Sequence, residues 1–576
     1  MHGRLKVKST AEQLEAKRKE REKKLQLYNG AKSKIFEKKI NGELDEELLL
    51  LSGEVLAVNP DFYTLWNYRK ETFLELKKIK SKEELQKIFQ SELHFLETCL
   101  KINPKSYGSW HQRCFVMDNM PEPDWSRELE LCNQFLQYDE RNFHCWDYRR
   151  FIVKRANVSL EAEFEFSMSK ISNNFSNYSS WHYRSKLLPI LFPDPTQPMG
   201  VDEKALLKEY ELVQNGFFTD PDDQSNWFYH RWLMGRGKLK PDWQKQALHC
   251  FSVSRTDRCV ILSLVKHIQV GKSTDIILEC NNSILKGVTW QNQEKSTRFS
   301  TLWISFHSNN VTLPENGDLF IKVKILQGGE EICFSSMSLK ENEVNYSAPS
   351  LSTGGVSRFS QELSVVKTET LQHELEAVSQ LLEMETDNKW AVLTLVLLMK
   401  ALDPVLYHAE IMNNLDKLAV LDTKRINYYK DLKSKFIVEN MIDALNDSLS
   451  TSIDLSQRDL TKFYHYELLP LVISLDLSYN RLNNVQNFNY LQSIIVLNLN
   501  SNNLKSLEGL QYLPKLERLL VRNNGLSSPE SLRALQTCPN LKFLDLSGNP
   551  VCENEVSHES IREQLQDVDI VFKETS

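Results

Sequence analysis

Ten cysteines and thirteen histidines are the residues of this 576-residue chain best suited to nucleophilic, acid–base or metal chemistry, and their spacing assembles none of it. The cysteines, at 99, 114, 132, 145, 250, 259, 280, 333, 538 and 552, never form a Cys-x-x-Cys pair, and most sit inside apolar runs. They read as reduced, buried thiols of a cytosolic protein. His-Glu-x-x-His, Gly-x-Ser-x-Gly and the phosphate-binding Gly-x-x-x-x-Gly-Lys-Ser/Thr do not occur, and Gly235-Arg236-Gly237-Lys238 is too short to cradle a phosphate. His2 sits near a free end, where one mobile imidazole does not make a metal site. Lys105 follows Asn103-Pro104, a setting in which a first-turn lysine is ordinarily solvated. A helical chain without its own cofactor site is either a scaffold or half of a complex.

The residues that do recur are tryptophan and arginine. Asn103 to Arg113 (NPKSYGSWHQR) has four further versions, at Asn59 to Arg69, Asp139 to Arg149, Asn173 to Arg184 and Asp220 to Arg231. Their landmarks are Trp66, Trp110, Trp146, Trp181 and Trp227, at steps of 44, 36, 35 and 46 residues. Arg follows three positions after the first four, whereas Arg231 is four after Trp227. Each copy is preceded by an acid-rich apolar segment, such as Glu92 to Ile102 or Glu128 to Tyr138, with leucines at helical spacing. Asn59-Pro60, Asn103-Pro104 and Asp220-Pro221 predict an N-cap followed by a proline in the first turn of a second helix. The unit is then an antiparallel helix pair, and a series of them builds an α-solenoid. Tetratricopeptide repeats differ in period and motif order. Trp and Arg share a helix face. A buried Arg needs a partner, so each is expected to pair with a carboxylate of the neighbouring unit.

The composition, 41% hydrophobic and 26% charged, is that of soluble globular protein, and the net charge of −7 lacks the concentrated basic surface that nucleic acid requires. Residues 4 to 24 hold nine Lys/Arg among four Glu and read as a solvated leader helix running toward Tyr28, with Thr10 and Gln13 as a capping box. No apolar stretch suits a signal peptide or membrane span, Gly3 is misplaced for myristoylation, and the C-terminal residues offer no Cys to prenylate. The expected location is the cytoplasm.

After Trp243 the period changes. Val260 to Val265, Asp275 to Cys280, Leu302 to Phe306 and Asp318 to Ile325 are strand-like, and about seven short strands predict a β-sandwich. Cys280, Trp290 and Cys333 follow the order of an immunoglobulin domain, with free thiols expected. Residues 347 to 360 are a linker, and helix resumes at Leu363 to Glu383, from Asp387 to Leu402 and from Asp422, as degenerate later copies of the helix pair. Leu475 to Leu482, Leu497 to Leu504, Leu519 to Leu526 and Leu544 to Val551 are leucine-rich repeats, with Ile453 to Leu460 a first copy carrying Arg458 in the Asn place. The predicted organisation is helical repeats over 1–241, an inserted immunoglobulin-like sandwich over 242–350, further helical repeats over 351–441 and leucine-rich repeats over 442–576.

The Trp-containing helix pairs, above all NPKSYGSWHQR, resemble the α subunits of protein prenyltransferases. With the sandwich and leucine-rich repeats the resemblance is to Rab geranylgeranyltransferase α subunits and covers nearly all of the chain. It implies a heterodimer whose β subunit holds a catalytic zinc and most of the isoprenoid pocket. That enzyme transfers geranylgeranyl from geranylgeranyl diphosphate to C-terminal cysteines of Rab GTPases presented by a Rab escort protein. Lys105 matches the family lysine that reaches the diphosphate, Tyr107 the neighbouring tyrosine, and His144 the third-repeat histidine facing the β cleft. Phe143 stands where the farnesyl enzymes have tyrosine, so that hydroxyl is missing. The competing classes are a non-catalytic interaction scaffold and the α subunit of a CaaX prenyltransferase, the latter disfavoured by the extra domains.

Overall fold

A computed structural model describes residues 11–195, 200–235, 248–271, 274–293, 298–306, 317–340, 345–349, 368–448 and 451–573, which divide into two compact units at Phe192/Pro193. In the first unit a leader helix, α1 (Ala11–Ile40), is followed by four helix pairs: α2 (Glu46–Val58) with α3 (Tyr63–Ile79), α4 (Lys82–Ile102) with α5 (Tyr107–Asn119), α6 (Trp125–Tyr138) with α7 (Phe143–Ala156), and α8 (Leu160–Asn173) with α9 (Tyr178–Leu191). The exposed start of α1 is laced by the pairs Glu15–Lys19, Arg18–Glu22 and Glu20–Lys24 at i,i+4 spacing, and the helix continues past Tyr28 until Ile35 enters the core. The expected cap at Thr10, and His2, lie outside the described residues.

The second helices begin later than their proline signals predict. Asn59, Asn103 and Asp220 cap the C-termini of the preceding helices, and the new helices start at Tyr63, Tyr107 and, in the second unit, Gln224. The reason is local hydrogen bonding. The Asn103 side chain accepts from the Lys105 N–H at 3.1 Å, and Asp139 serves Arg141 in the same way, closing a turn that holds the intervening residues out of the helix. Tryptophan then locks that turn. Trp66, Trp110, Trp146 and Trp181 each donate their indole N–H to the carbonyl six residues back, at 2.7–2.8 Å. A buried indole N–H needs such a partner, so the spacing of Trp from the turn is fixed by chemistry and recurs.

The first three arginines behave as expected. Arg69 pairs with Glu92, Arg113 with Glu128 through two 2.7 Å bonds, and Arg149 with Glu163 at 2.8 and 2.6 Å, all six side chains being buried. Each carboxylate belongs to the next pair's first helix. Glu128 and Glu163 also accept the hydroxyls of Tyr148 and Tyr183, so one buried charge joins two repeats with its acceptor sites filled.

In the second unit, α10 (Glu203–Thr219) and α11 (Gln224–Met234) form another pair, with Trp227 bonded to the Pro221 carbonyl at 2.8 Å. The slot three residues after the Trp holds His230 rather than Arg231. His230 lies 2.7 Å from Glu374, a residue of α12 (Thr368–Met384). Helix α13 (Lys389–Leu402) packs on α12 and α11, and its N-cap Asn388 donates to the Pro221 carbonyl at 2.8 Å. The helical pattern therefore resumes after the β domain. A last pair, α14 (His408–Leu421) and α15 (Ile426–Ser448), completes it, and α14 is an element the sequence reading passed over.

Nine described strands form the sandwich: β1 (Leu248–Ser254), β2 (Cys259–Ile268), β3 (Thr274–Cys280), β4 (Ser283–Ile284), β5 (Trp290–Asn292), β6 (Ser300–Phe306), β7 (Leu319–Gln327), β8 (Glu330–Leu339) and β9 (Asn345–Pro349). They make an antiparallel sheet β5-β6-β2-β1-β9 and a second, β4-β3-β7-β8. Val253, Leu262, Trp303, Ile321, Val323 and Met337 are among the residues that fill the space between them. Cys280 on β3 and Cys333 on β8 are free thiols on either side of β7, opposite Ile321 and Ile325 respectively, so that two strand spacings and a four-residue offset put them about 16 Å apart, beyond disulfide reach. The outer face of the larger sheet, through Ile261, Leu302 and Ile304, packs on Leu471 and Tyr490 of the repeats that follow.

Those repeats form a parallel six-stranded sheet, β10 (Ser452–Asp454), β11 (Ser474–Asp476), β12 (Val496–Asn498), β13 (Arg518–Leu520), β14 (Phe543–Asp545) and β15 (Asp569–Val571), with α16 (Glu555–Gln564) before the last strand. Asn480 accepts from the N–H groups of Arg458 and Leu460 and donates to the carbonyls of Leu455 and Leu477. Asn502, Asn524 and Asn549 repeat this one copy further on. Each Asn thus serves the backbone of the copy before it. The first copy has no predecessor, which is why Arg458 can stand there.

Candidate functional site

Lys105, Tyr107, Phe143 and His144 lie in the first unit, where the turns that open α5 and α7 come side by side. Lys105 is exposed in the turn, two residues ahead of α5, and not in the first turn of a helix. Tyr107 is the first residue of α5 and Phe143 the first of α7, each half-exposed, while His144 is only 6% exposed. The Tyr107 ring meets the His144 ring edge-on, with centroids 4.2 Å apart and an interplanar angle of 87°. Phe143 flanks the same imidazole at 3.9 Å and lies 6.1 Å from Tyr107. The structure therefore brings together the aromatic residues singled out in the sequence and leaves Lys105 open beside them.

Packing density explains why this arrangement arises only here. The position two before each Trp is Thr64, Gly108, His144, Ser179 and Ser225 in successive copies. Gly108 is required by its surroundings, because a Cβ there would lie 2.4 Å from the Trp66 indole nitrogen and 3.2 Å from the Pro60 carbonyl. The third copy places an imidazole in the same column. The column three before the Trp holds Tyr63, Tyr107, Phe143 and Tyr178, all half-exposed at helix starts. Sequence reasoning missed Tyr63 and Tyr178, although aligning the copies on Trp would have found them.

Burial holds the His144 imidazole below its ordinary range, the Lys105 ammonium acts in the same direction, and the Asp147 carboxylate opposes both. The ring is thus neutral at neutral pH, able to donate one hydrogen bond and accept another. Because the folded value is depressed, the folded state binds fewer protons here. The stability His144 contributes is complete above about pH 6.5 and is lost as pH falls through the depressed value. An NMR titration should place the His144 midpoint below that of a free imidazole, and Lys105→Met should move it upward. A midpoint unmoved by that change would separate the two groups.

Burial leaves six of the thiols poorly suited to act as nucleophiles. Burial pushes Cys99 up to about 11 and Cys114 and Cys259 up to about 12, and it also raises Cys280, Cys538 and Cys552. A thiol so raised is protonated and unreactive. Among the described residues no group of three or more His, Cys, Asp or Glu could hold a metal ion, and no helix is long and apolar enough to cross a membrane. What remains is an exposed cation, a phenol hydroxyl and a neutral imidazole at an open edge. Such a set can bind and neutralise an anion, and it lacks a nucleophile of its own.

Comparison with known proteins agrees with the repeat structure. The protein prenyltransferase alpha subunit repeat matches residues 45–76, 89–120, 125–156, 160–191 and 206–237, and a leucine-rich repeat model matches 470–574. A Pongo abelii protein named geranylgeranyl transferase type-2 subunit alpha is 46% identical over 477 residues, 82% of each chain. The Bos taurus protein of the same name is 44% identical over 586 aligned positions, spanning 99% of this chain and all of the relative. Among solved structures, Candida albicans protein geranylgeranyltransferase-I complexed with GGPP aligns with 73% of this chain and 90% of that one, at 15% identity and a TM-score of 0.39.

Proposed function

Because the chain belongs to the family of geranylgeranyl transferase type-2 alpha subunits, we propose that it pairs with a prenyltransferase β subunit and works in the cytoplasm. In this reading the pair transfers geranylgeranyl from geranylgeranyl diphosphate to C-terminal cysteines of Rab GTPases presented by a Rab escort protein. The observation that carries the reading is the similarity to type-2 alpha subunits along the whole chain, β domain and leucine-rich repeats included. The half-exposed column Tyr63, Tyr107, Phe143 and Tyr178 supports it, since aromatic side chains aligned at an open edge suit a protein partner.

In the proposed reaction a cysteine thiolate of the substrate attacks the first carbon of the isoprenoid, a C–S bond forms, the C–O bond breaks and diphosphate leaves. A zinc ion, assigned to the β subunit, would supply the acidity that makes the thiol a thiolate. This chain would act on the leaving group. Lys105 neutralises charge as it develops on diphosphate, and a cation already in place needs no reorganisation at that moment. Tyr107 can donate its hydroxyl to a phosphate oxygen, and His144, neutral and packed edge-on, holds that ring in place. Phe143 cannot donate, so recognition at that point is by shape alone.

The test is to express the chain alone and with a prenyltransferase β subunit and to assay geranylgeranyl transfer to a Rab in the presence of escort protein. Transfer by the pair and none by the chain alone is expected. A chain that forms no such complex would leave the interaction-scaffold reading.

A further inference from the structure

We propose that Asn142 is a positioning residue that sets the distance between Lys105 and His144. It rests on the prenyl-transfer reading for its activity readout, and on geometry for everything else. Asn142 is the N-cap of α7 and is buried, and each end of its side-chain amide is bonded. The amide oxygen accepts from the backbone N–H of His144 at 3.1 Å and from that of Cys145 at 3.3 Å. The amide nitrogen donates to the Pro104 carbonyl at 3.0 Å, across the repeat boundary.

Pro104 C=O belongs to the peptide unit that carries the Lys105 N–H, so whatever holds that oxygen holds the base of the Lys105 side chain. Three side chains fix this one peptide plane. Trp110 and Asn142 donate to its oxygen, and Asn103 accepts from its nitrogen. A closed circuit results. It runs from Lys105 through Pro104 and Asn142 to His144, and returns through the Tyr107 ring to the turn that bears Lys105. Removing the amide NH2 opens the circuit while leaving the cap of α7 in place.

The fold contains a matched control. Asn388 caps α13 and donates to the Pro221 carbonyl at 2.8 Å, the carbonyl that also accepts from Trp227. That latch has the same construction and belongs to the second unit, whereas the proposed site residues belong to the first. In the complex with its β subunit, Asn142→Asp keeps the capping oxygen and replaces the donor with an acceptor. It should lower kcat about tenfold to a hundredfold, as small misplacements of a charge-neutralising group do. Asn388→Asp should leave kcat within about twofold of the parent, since its side-chain bonds run to Pro221, Asp222 and the start of α13 and to no site residue.

The decisive measurement is the double variant. If Asn142 acts through Lys105, then Asn142→Asp lowers kcat no further once Lys105→Ala is present. Multiplying losses, or equal effects of the two Asp substitutions, would overturn the proposal. Should Asn142→Asp fail to form the complex, Asn142→Gly set against Asn388→Gly carries the same comparison, since glycine is tolerated at an N-cap and offers no side-chain donor, whereas a serine would keep one, as Ser106 donates to the Pro60 carbonyl in the equivalent place. Absence of transfer by the unaltered pair would instead refute the enzyme reading, and this inference with it.

Discussion

Lys105→Ala, assayed in the complex with a β subunit, is expected to lower turnover by about a hundredfold to a thousandfold while leaving complex formation intact. The size follows from the task. Diphosphate leaves carrying more negative charge than it held in the ester, and a cation placed in advance is worth more in the transition state than in the bound substrate. The selectivity follows from the structure. Lys105 is exposed in a turn whose shape is set by Asn103, Trp110 and Asn142, so truncating its side chain removes charge and leaves the backbone bonds in place. The loss should appear mainly in kcat, with lipid binding weakened much less. Turnover equal to that of the unaltered pair would remove Lys105 from the mechanism. Lys105→Arg should restore part of the rate, because the charge returns with a different shape.

The second large effect concerns stability. Glu128→Ala should cost about 3–5 kcal/mol, read as a fall in the denaturation midpoint, because it leaves the Arg113 guanidinium buried without its two carboxylate bonds and strips the Tyr148 hydroxyl of its acceptor. Arg113 would retain only the Leu93 carbonyl at 3.0 Å and the more distant Glu97 carboxylate. Replacing both partners, as Arg113→Met with Glu128→Leu, should recover most of the loss, since an apolar pair of similar volume removes the stranded charge. A single variant as stable as the parent would mean that water reaches the guanidinium.

The two predictions draw on different layers of the same repeat, and those layers differed in how readable they were. Trp, Arg and their acidic partners recur, so their roles as core and cross-repeat pair could be inferred from spacing alone. The strands of the sandwich and the leucine-rich copies were legible for the same reason, period and punctuation. Helix starts were not, because Asn-Pro and Asp-Pro signal a helical N-terminus in isolation, whereas here an Asx turn and an indole hydrogen bond hold the proline outside the helix. His230 was hidden by attention to Arg231, one position on. Helix α14 and strand β15 have no landmark residue to announce them. The candidate site was legible only through resemblance, since Lys105 and His144 are ordinary residues until two neighbouring turns bring them together.

The fifth helical repeat differs from the others in the length of chain its buried pair must enclose. Arg113 and Glu128 are 15 residues apart, whereas His230 and Glu374 are 144 apart. Were the intervening segment a flexible loop, closing it would cost about 2 kcal/mol more in chain entropy than closing the shorter one. The sandwich removes most of that difference when it folds, because its first and last strands, β1 and β9, are hydrogen-bonded neighbours with Cys250 opposite Pro349. A long excursion then enters and leaves by one doorway. Folding of the β domain therefore lowers the chain-entropy cost of docking the sixth helix pair on the fifth by up to about 2 kcal/mol, so that docking should proceed faster once the sandwich has formed.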